Sequence, residues 1–465
     1  MQNAKKWFRK LGIKKSILFL GLFLSEVALL IAAYITRGEM LQNLLFADPK
    51  DTFMDFYKVI ICGKIPYTLQ MIYPPLIHVI LSFFGHFIPY DIRDAGAFAV
   101  RDSQLGMVIF FLWMLVQMYL FAQLFRKMYD KTCIGKSFRW EREAALLLTL
   151  FSLPFLFCFE RSNAIFLSLI CLIPYIMWYQ EEDARLRWVA FVCLAISAAI
   201  KIYPAIFGLL LVREKKWKQT IQLIVAGVIG FFGPFLLLEG ENRSPLKLLG
   251  NLMYTTNAFS KIGCGYRHDL SNMFRIFGIL FDTDLTVLGD CVIAIVAVIG
   301  IILFFARPDM ERWKAYALLS LMMILVTGLN YTYSLIFMVI PMVYFLNDPS
   351  RDGKAMQAVY AILFLLMFMP MLLTSHEDLL QNSHAAGWPL TYPAIVESVA
   401  LIVMLLLIYV QEIKRPRKKR KVQYVTHTEQ GTQKVQYVAH TEQGTQQVKR
   451  KIRYQHRTSN KQTMQ

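Results

Sequence analysis

Residues 126–143 read RKMYDKTCIGKSFRWERE, a connector with Arg126, Lys127, Lys131, Lys136, Arg139 and Arg142 between two long apolar runs. Basic connectors stay on the cytoplasmic side of membrane proteins, so this loop fixes the sidedness of everything around it. Upstream lie an apolar run at 16–35 and another at 105–124. Downstream, apolar runs follow near 144–159, 164–180, 188–200, 203–212, 219–238, 285–306, 315–330, 332–346, 357–374 and 393–411. Many approach the roughly 20 residues that carry a helix across a hydrocarbon core about 30 Å thick. Twelve crossings are expected. A thirteenth run, Ile72 to Tyr90, would put the basic loop outside, so it is read as an interfacial helix lying on the outer surface. The alternative merges 188–212 into one span and lets 72–90 cross, which would turn the loop at Glu160 inward.

The whole chain agrees with a membrane protein. It has 465 residues, is 56% hydrophobic and 18% charged, and has a net charge of +18, against about 25% charge in soluble domains. The excess charge sits at the ends: residues 1–15 hold six Lys/Arg and no acid, and residues 411–465 hold fourteen Lys/Arg against three Glu. Both ends are therefore expected in the cytoplasm beside anionic lipid, and nucleic acid is not an expected partner. The expected organisation is a basic N-terminus (1–15), a membrane domain (16–412) and a basic tail (413–465). The tail repeats KVQYVTHTEQGTQ (421–433) as KVQYVAHTEQGTQ (434–446), too polar to bury a core, and is expected to be unstructured. The seven cysteines show no metal-binding spacing, although a Cys62–Cys264 disulfide between outer loops stays open.

Two long outer loops are expected, 37–104 and 239–284. In the first, Asp51 and Asp55 are four apart and would share a helix face, either as a base with its tuning partner or as residues capping a short interfacial helix. Tyr73-Pro74-Pro75-Leu76 marks a turn into an apolar helix. Glu160-Arg161-Ser162-Asn163 is a tight turn with an acid and a guanidinium at its mouth, read either as a hairpin with a local ion pair or as part of a site. Lys201 lies between two short half-helices, and ionisable groups at such breaks line wet cavities. The second loop gathers Lys261, Tyr266, Arg267, His268, Asp269 and Arg275, a set suited to an anionic headgroup. Glu26, mid-span, must face the protein interior.

Taken in order, DTFMDFYKVIICGKIPY and IYPPL (51–76), PFLFCFERSNAIFLSL (154–169), AISAAIKIYPAIFGLLLVREKKW (195–217) and YRHDLSNMFRIFG (266–278) resemble bacterial mannosyltransferase-like proteins of glycosyltransferase family 87, in the GT-C superfamily. The resemblance covers roughly residues 15–285. It implies an all-α polytopic GT-C fold and, on the outer face of a bacterial plasma membrane, transfer of a sugar from a polyprenyl-phosphate-linked donor, commonly mannose, to a hydroxyl of a cell-envelope lipid or glycan acceptor, with inversion. It implies Asp55 as general base with Asp51 as its rival, and Lys201, Arg161, Arg267 and Lys261 as partners of the donor phosphate. Tyr57, Tyr73, Glu160, Asn163, Tyr266 and His268 are the implied substrate contacts. No cofactor is required by this chemistry, and a divalent metal stays open. The segment DIRDAGAFAVRDS (91–103) departs from the family pattern, which puts acceptor specificity in doubt. A secondary transporter or lipid-carrier flippase, using Glu26 and Lys201, is the competing expectation.

Overall fold

The computed structural model describes residues 2–45, 49–133, 139–259, 265–371, 391–416, 423–429 and 432–438. Up to residue 412 the chain forms one helical unit. Among the described residues, five helices are long and apolar enough to cross a membrane: Leu11–Ile35, Gln104–Thr132, Trp217–Leu237, Thr286–Ala306 and Tyr392–Lys414. A sixth candidate is the pair Arg139–Leu150 and Leu153–Arg161, bent by 53°. Pro154 begins its second half, where a proline lacks the N–H needed to continue the first. The other apolar helices among the described residues are shorter, so helix length by itself does not reproduce twelve crossings. The interior explains the shortening. Ile165–Trp178, Arg312–Leu325 and Val339–Asn347 are buried along almost their whole length, whereas Trp217–Leu237 and Thr286–Ala306 present most of their apolar side chains outward.

Contacts at the helix ends sort the elements to two sides. At one end Lys15 pairs with Glu141 at 2.8 Å, Lys131 meets Glu181, the Tyr179 hydroxyl donates to Glu214, Arg213 donates to Arg307 O, and Lys314 bridges Asp352 and Gln411. At the other end the loop after Leu11–Ile35 meets the turn after Leu153–Arg161, the break after Ala184–Ile200 and the turn before Thr332–Met338. The main-chain N–H of Phe53 donates to Glu160 O at 2.8 Å, so the first long loop and the Glu160 turn share a side. That contact runs against the topology in which 72–90 crosses and separates them. Pro75–Gly85 has 11 residues, about 16 Å of helix, about half of a hydrocarbon core.

The first long loop is itself helical, with Glu39–Leu45, Met54–Cys62, Pro75–Gly85, Tyr90–Asp94 and Ala97–Asp102 among its described residues. It feeds into Gln104–Thr132 through a close approach at Gly106, where a Cβ would lie 1.9 Å from Val100 O. In the tail, Gln423–Glu429 pairs as an antiparallel hairpin with Thr432–Val438, a strand that runs from the end of the first repeat copy into the second, with Gln423 opposite Val438. Alternating Val, Tyr and Thr favour a strand, and such a lone hairpin is marginal in water.

Candidate functional site

The Glu160 turn organises the site. Helix Leu153–Arg161 stops because Ser162 takes a left-handed conformation (φ 52°), which turns Arg161 and Asn163 toward the first long loop. Arg161 Nη2 donates to Asp55 Oδ1 at 3.0 Å, and Asn163 Nδ2 donates to Asp55 Oδ2 at 2.7 Å. The same amide reaches the Tyr73 hydroxyl at 2.9 Å, while Asn163 Oδ1 accepts from Ile165 N and so fixes the amide's orientation. Arg161 also lies 3.6 Å from Asp51, which pairs with Lys58 at 3.2 Å.

Asp51 and Asp55 do converge, but not as a helix face. Asp51 ends a 3-10 turn, Pro49–Asp51, and Asp55 opens Met54–Cys62; between them Phe53 is left-handed (φ 61°). The two carboxylates meet because one guanidinium holds both. Lys201 closes the far side. It caps the C-terminus of Ala184–Ile200, with its Nζ 4.1 Å from the centre of the Tyr73 ring and 6.0 Å from that of Tyr333. Among the described residues, no carboxylate lies within ion-pair distance of it. Burial, and then the nearby Asp55 carboxylate, hold the Tyr73 phenol well above its usual pKa. Tyr73 therefore stays protonated and can donate a hydrogen bond.

The remaining expected residues sit differently. Tyr57 is fully buried among Phe56 and Phe110, its hydroxyl donating to Gly106 O at 3.2 Å, so it holds the loop to the long helix rather than offering a ring to substrate. Glu160 is buried beside Arg161, with main-chain rather than side-chain contact to Phe53. Tyr266 stacks on Phe157 at 5.1 Å in an apolar cluster with Leu29 and Leu44. Arg267 is 4% exposed and grips Asp269 through two bonds of 3.2 and 2.9 Å; Asp269 in turn caps Leu270–Leu280. His268 is sealed, with Nδ1 2.9 Å from Ser398 Oγ and Nε2 2.9 Å from Glu397 and 3.0 Å from Thr332 Oγ1. Lys261 and Cys264, and with Cys264 the Cys62 disulfide, lie outside the described residues.

Sequence reasoning missed the turn Asn330–Ser334. A bridge between Arg267 and Tyr331, with His268 N donating to Asn330 O at 2.9 Å and Thr332 N to Tyr266 O at 2.9 Å, ties it to the second long loop. Thr332 enters the His268–Glu397 knot, while Tyr331 and Tyr333 face each other at 5.7 Å and Tyr333 continues to Phe157 and Lys201. The assembled site thus has two acids, a guanidinium, an ammonium with no carboxylate in ion-pair reach among the described residues, and a wall of three tyrosines. It suits a polar substrate carrying both an anion and a ring with C–H faces.

No curated protein and no solved structure matches the chain. The profile of glycosyltransferase family 87 matches residues 71–328, a stretch that holds Tyr73, Arg161, Asn163, Lys201 and His268 and starts after Asp51 and Asp55. With more than half of its length matched, and with apolar helices fit to cross a bilayer, the chain belongs to glycosyltransferase family 87 and is a membrane glycosyltransferase.

Proposed function

We propose that the protein moves a sugar, mannose first among the candidates, from a polyprenyl-phosphate donor to a hydroxyl of a cell-envelope lipid or glycan on the outer face of a bacterial plasma membrane. Both termini then lie in the cytoplasm and the chain crosses twelve times, a count supported by the alternation of end contacts from one side of the bundle to the other. The acceptor oxygen attacks the anomeric carbon, and the bond from that carbon to the phosphate oxygen breaks on the opposite face, inverting the centre. Asp55 takes the acceptor proton, and the polyprenyl phosphate leaves with the bonding pair.

The observation that carries this reading is the meeting of Asp55, Arg161, Asn163, Tyr73 and Lys201. A base is needed at the hydroxyl, and the leaving phosphate needs cations where its charge develops. Asp55 accepts two hydrogen bonds, which leaves about two of its four lone-pair sites for a proton. Lys201 has an aromatic ring beside it, with Asp55 acting on it from beyond ion-pair distance, and its Nζ is thereby available to a phosphate. Asp51, already paired with Lys58 and near Arg161, is the electrostatic partner. Tyr73, Tyr331 and Tyr333 replace Tyr57 and Tyr266 as the rings that face substrate.

The test is transfer in membranes holding the wild type, Asp55→Asn or Asp51→Asn, supplied with radiolabelled polyprenyl-phosphate mannose and a total lipid and glycan extract. Label should enter a new product with the wild type and with Asp51→Asn, and not with Asp55→Asn. Equal turnover by Asp55→Asn would remove the base.

A further inference from the structure

The second long loop begins with the helix Pro245–Phe259, PLKLLGNLMYTTNAF. Leu246, Leu249 and Met253 recur at the spacing of one helix face, with Tyr254 beside them. Their exposures are 75, 51, 61 and 62%. On the opposite side Leu248 is buried with Tyr67, Phe235 and Leu238. An apolar face of this size left in water forfeits about 1.5–3 kcal/mol per large side chain.

The helix cannot roll over to hide it. Asn251 Nδ2 donates to Tyr67 O at 2.9 Å and Met71 O at 3.1 Å. In the preceding turn Asn242, 2% exposed, accepts from Tyr67 N at 2.7 Å and Thr68 N at 2.9 Å. Glu239 N donates to Lys64 O at 3.0 Å. The rotation of the helix is therefore set by hydrogen bonds to the first long loop, and the apolar face is held outward.

The neighbouring element indicates what covers that face. Trp217–Leu237 is a candidate span whose last turns expose Phe232, Leu236 and Leu237 at 48, 76 and 58%, a surface that faces lipid tails. From Leu237 the chain needs only Leu238 to Ser244 to reach the helix. This link carries Arg243, bonded to Leu238 O at 2.8 Å, and Glu241, paired with Lys247 at 2.5 Å, charges suited to headgroup depth. The lipid-facing surface of the span thus runs on into Leu246, Leu249 and Met253.

We propose that Pro245–Phe259 lies in the plane of the membrane, in the leaflet on the side of the site, with this face among the lipid tails. In-plane helices of this kind bury their apolar side about 5–10 Å into the headgroup boundary. Through Asn242 and Asn251 the bilayer surface then sets the height of Tyr67–Met71 and of Tyr73 just beyond it. A lipid-borne phosphate arriving at headgroup depth meets Lys201 and Tyr73 at a fixed level.

The test uses the full-length protein in liposomes and no substrate. It is photolabelled by an aryl diazirine dissolved in the bilayer or, separately, by a water-soluble diazirine, and the labelled residues are mapped by mass spectrometry. The bilayer reagent should label Leu246, Leu249 and Met253 within about threefold of Leu236 and Leu237, and the aqueous reagent should spare them. Labelling by the aqueous reagent alone would overturn the proposal. Protection from both reagents would overturn it too, since another protein surface would then cover the face.

Discussion

At one end of the bundle lie two polar clusters built to opposite rules. In the first, Arg161, Asp55 and Asp51 keep side-chain exposures of 14, 17 and 25%, and two carboxylates stand against Arg161, Lys58 and Lys201. In the second, Arg267 and Asp269 are exposed by 4 and 1%, His268 and Glu397 by 0%, and Arg267 meets Asp269, and His268 meets Glu397, at 2.9 Å. Buried polar groups persist where they are paired and hydrogen-bonded, and the second cluster, with Asp269 on Arg267 and Glu397 on His268, serves as a clasp between the second long loop, the Asn330–Ser334 turn and the last helix. The first is open and, because burial holds the pKa of the Glu160 carboxyl beside Arg161 up at about 8, has more cation than ionised acid. A partly exposed surplus of positive charge favours binding an anion, and so under the proposed function the clusters divide the work: the first takes the substrate, and the second holds the tyrosine wall in place.

Crossed substitutions would break that division if it is wrong. Asp55→Asn should lower turnover by about 10²–10⁴ and leave the melting temperature in detergent nearly where it was. Glu397→Ala should do the reverse, costing about 1–3 kcal/mol of stability by leaving buried His268 and Thr332 without their hydrogen-bond partner, while the folded fraction keeps its turnover number within a few-fold. Calorimetry and transfer rates on the same preparations read both. If Glu397→Ala abolishes turnover at full stability, the sealed cluster belongs to the chemistry.

Lys201 sharpens the contrast from the open side. Replacing it with methionine keeps a stem of similar length against Tyr73 and removes the only cation of the site with no acid in ion-pair reach among the described residues. A hydrogen bond to a charged group contributes about 1.5–3 kcal/mol, so Lys201→Met should raise KM for the polyprenyl-phosphate donor by about 10- to 100-fold. The KM for the acceptor should stay unchanged in steady-state assays. Equal loss of both would mean that Lys201 shapes the site rather than gripping phosphate.

What could be read from the chain in advance was the positions of chemistry, more than its partners. Arg161 and Lys201 stood out because ionisable residues in short breaks between apolar runs have few structural excuses. The meeting of Asp51 with Asp55 was legible in outcome but not in cause, since spacing suggested a helix face and Phe53 breaks that helix. Tyr331 and Tyr333 were hidden because tyrosine counts as apolar and only one residue separated two apparent spans. The alternation of Asn330, Thr332 and Ser334 with them was the available signal. Glu397 escaped although the rule that singled out Glu26, a carboxylate within an apolar helix, applied to it equally. The sealing of Arg267 and His268 could not be read from their own loop: the partners of His268 lie at 332, 397 and 398, brought in by packing. Helix length does not carry the span count, because helices in the protein interior, such as the 14 residues of Arg312–Leu325, need not match a bilayer.

The smallest expected effect concerns the residue behind the open cluster. His78 is fully buried in Pro75–Gly85, edge-on to Tyr67 at 6.2 Å and to Tyr73 at 6.4 Å. Burial, opposed by the main-chain carbonyls of Tyr73 and Val59, takes its pKa down to about 3, so the folded protein holds it neutral. The unfolded chain protonates it near pH 6.5. Between those values the unfolded state binds more protons, and stability must fall as the pH falls, by up to about 1.4 kcal/mol per pH unit. Above pH 6.5 both states are neutral and the residue contributes no slope. His78→Phe keeps a ring at the same two edges and removes the titration. Its melting temperature should match the wild type at pH 7.5 and exceed it progressively below pH 6.5. Parallel acid limbs for the two proteins would show that the ring behind Tyr73 is not held neutral, and that the wall of the open cluster is wetter than its packing shows.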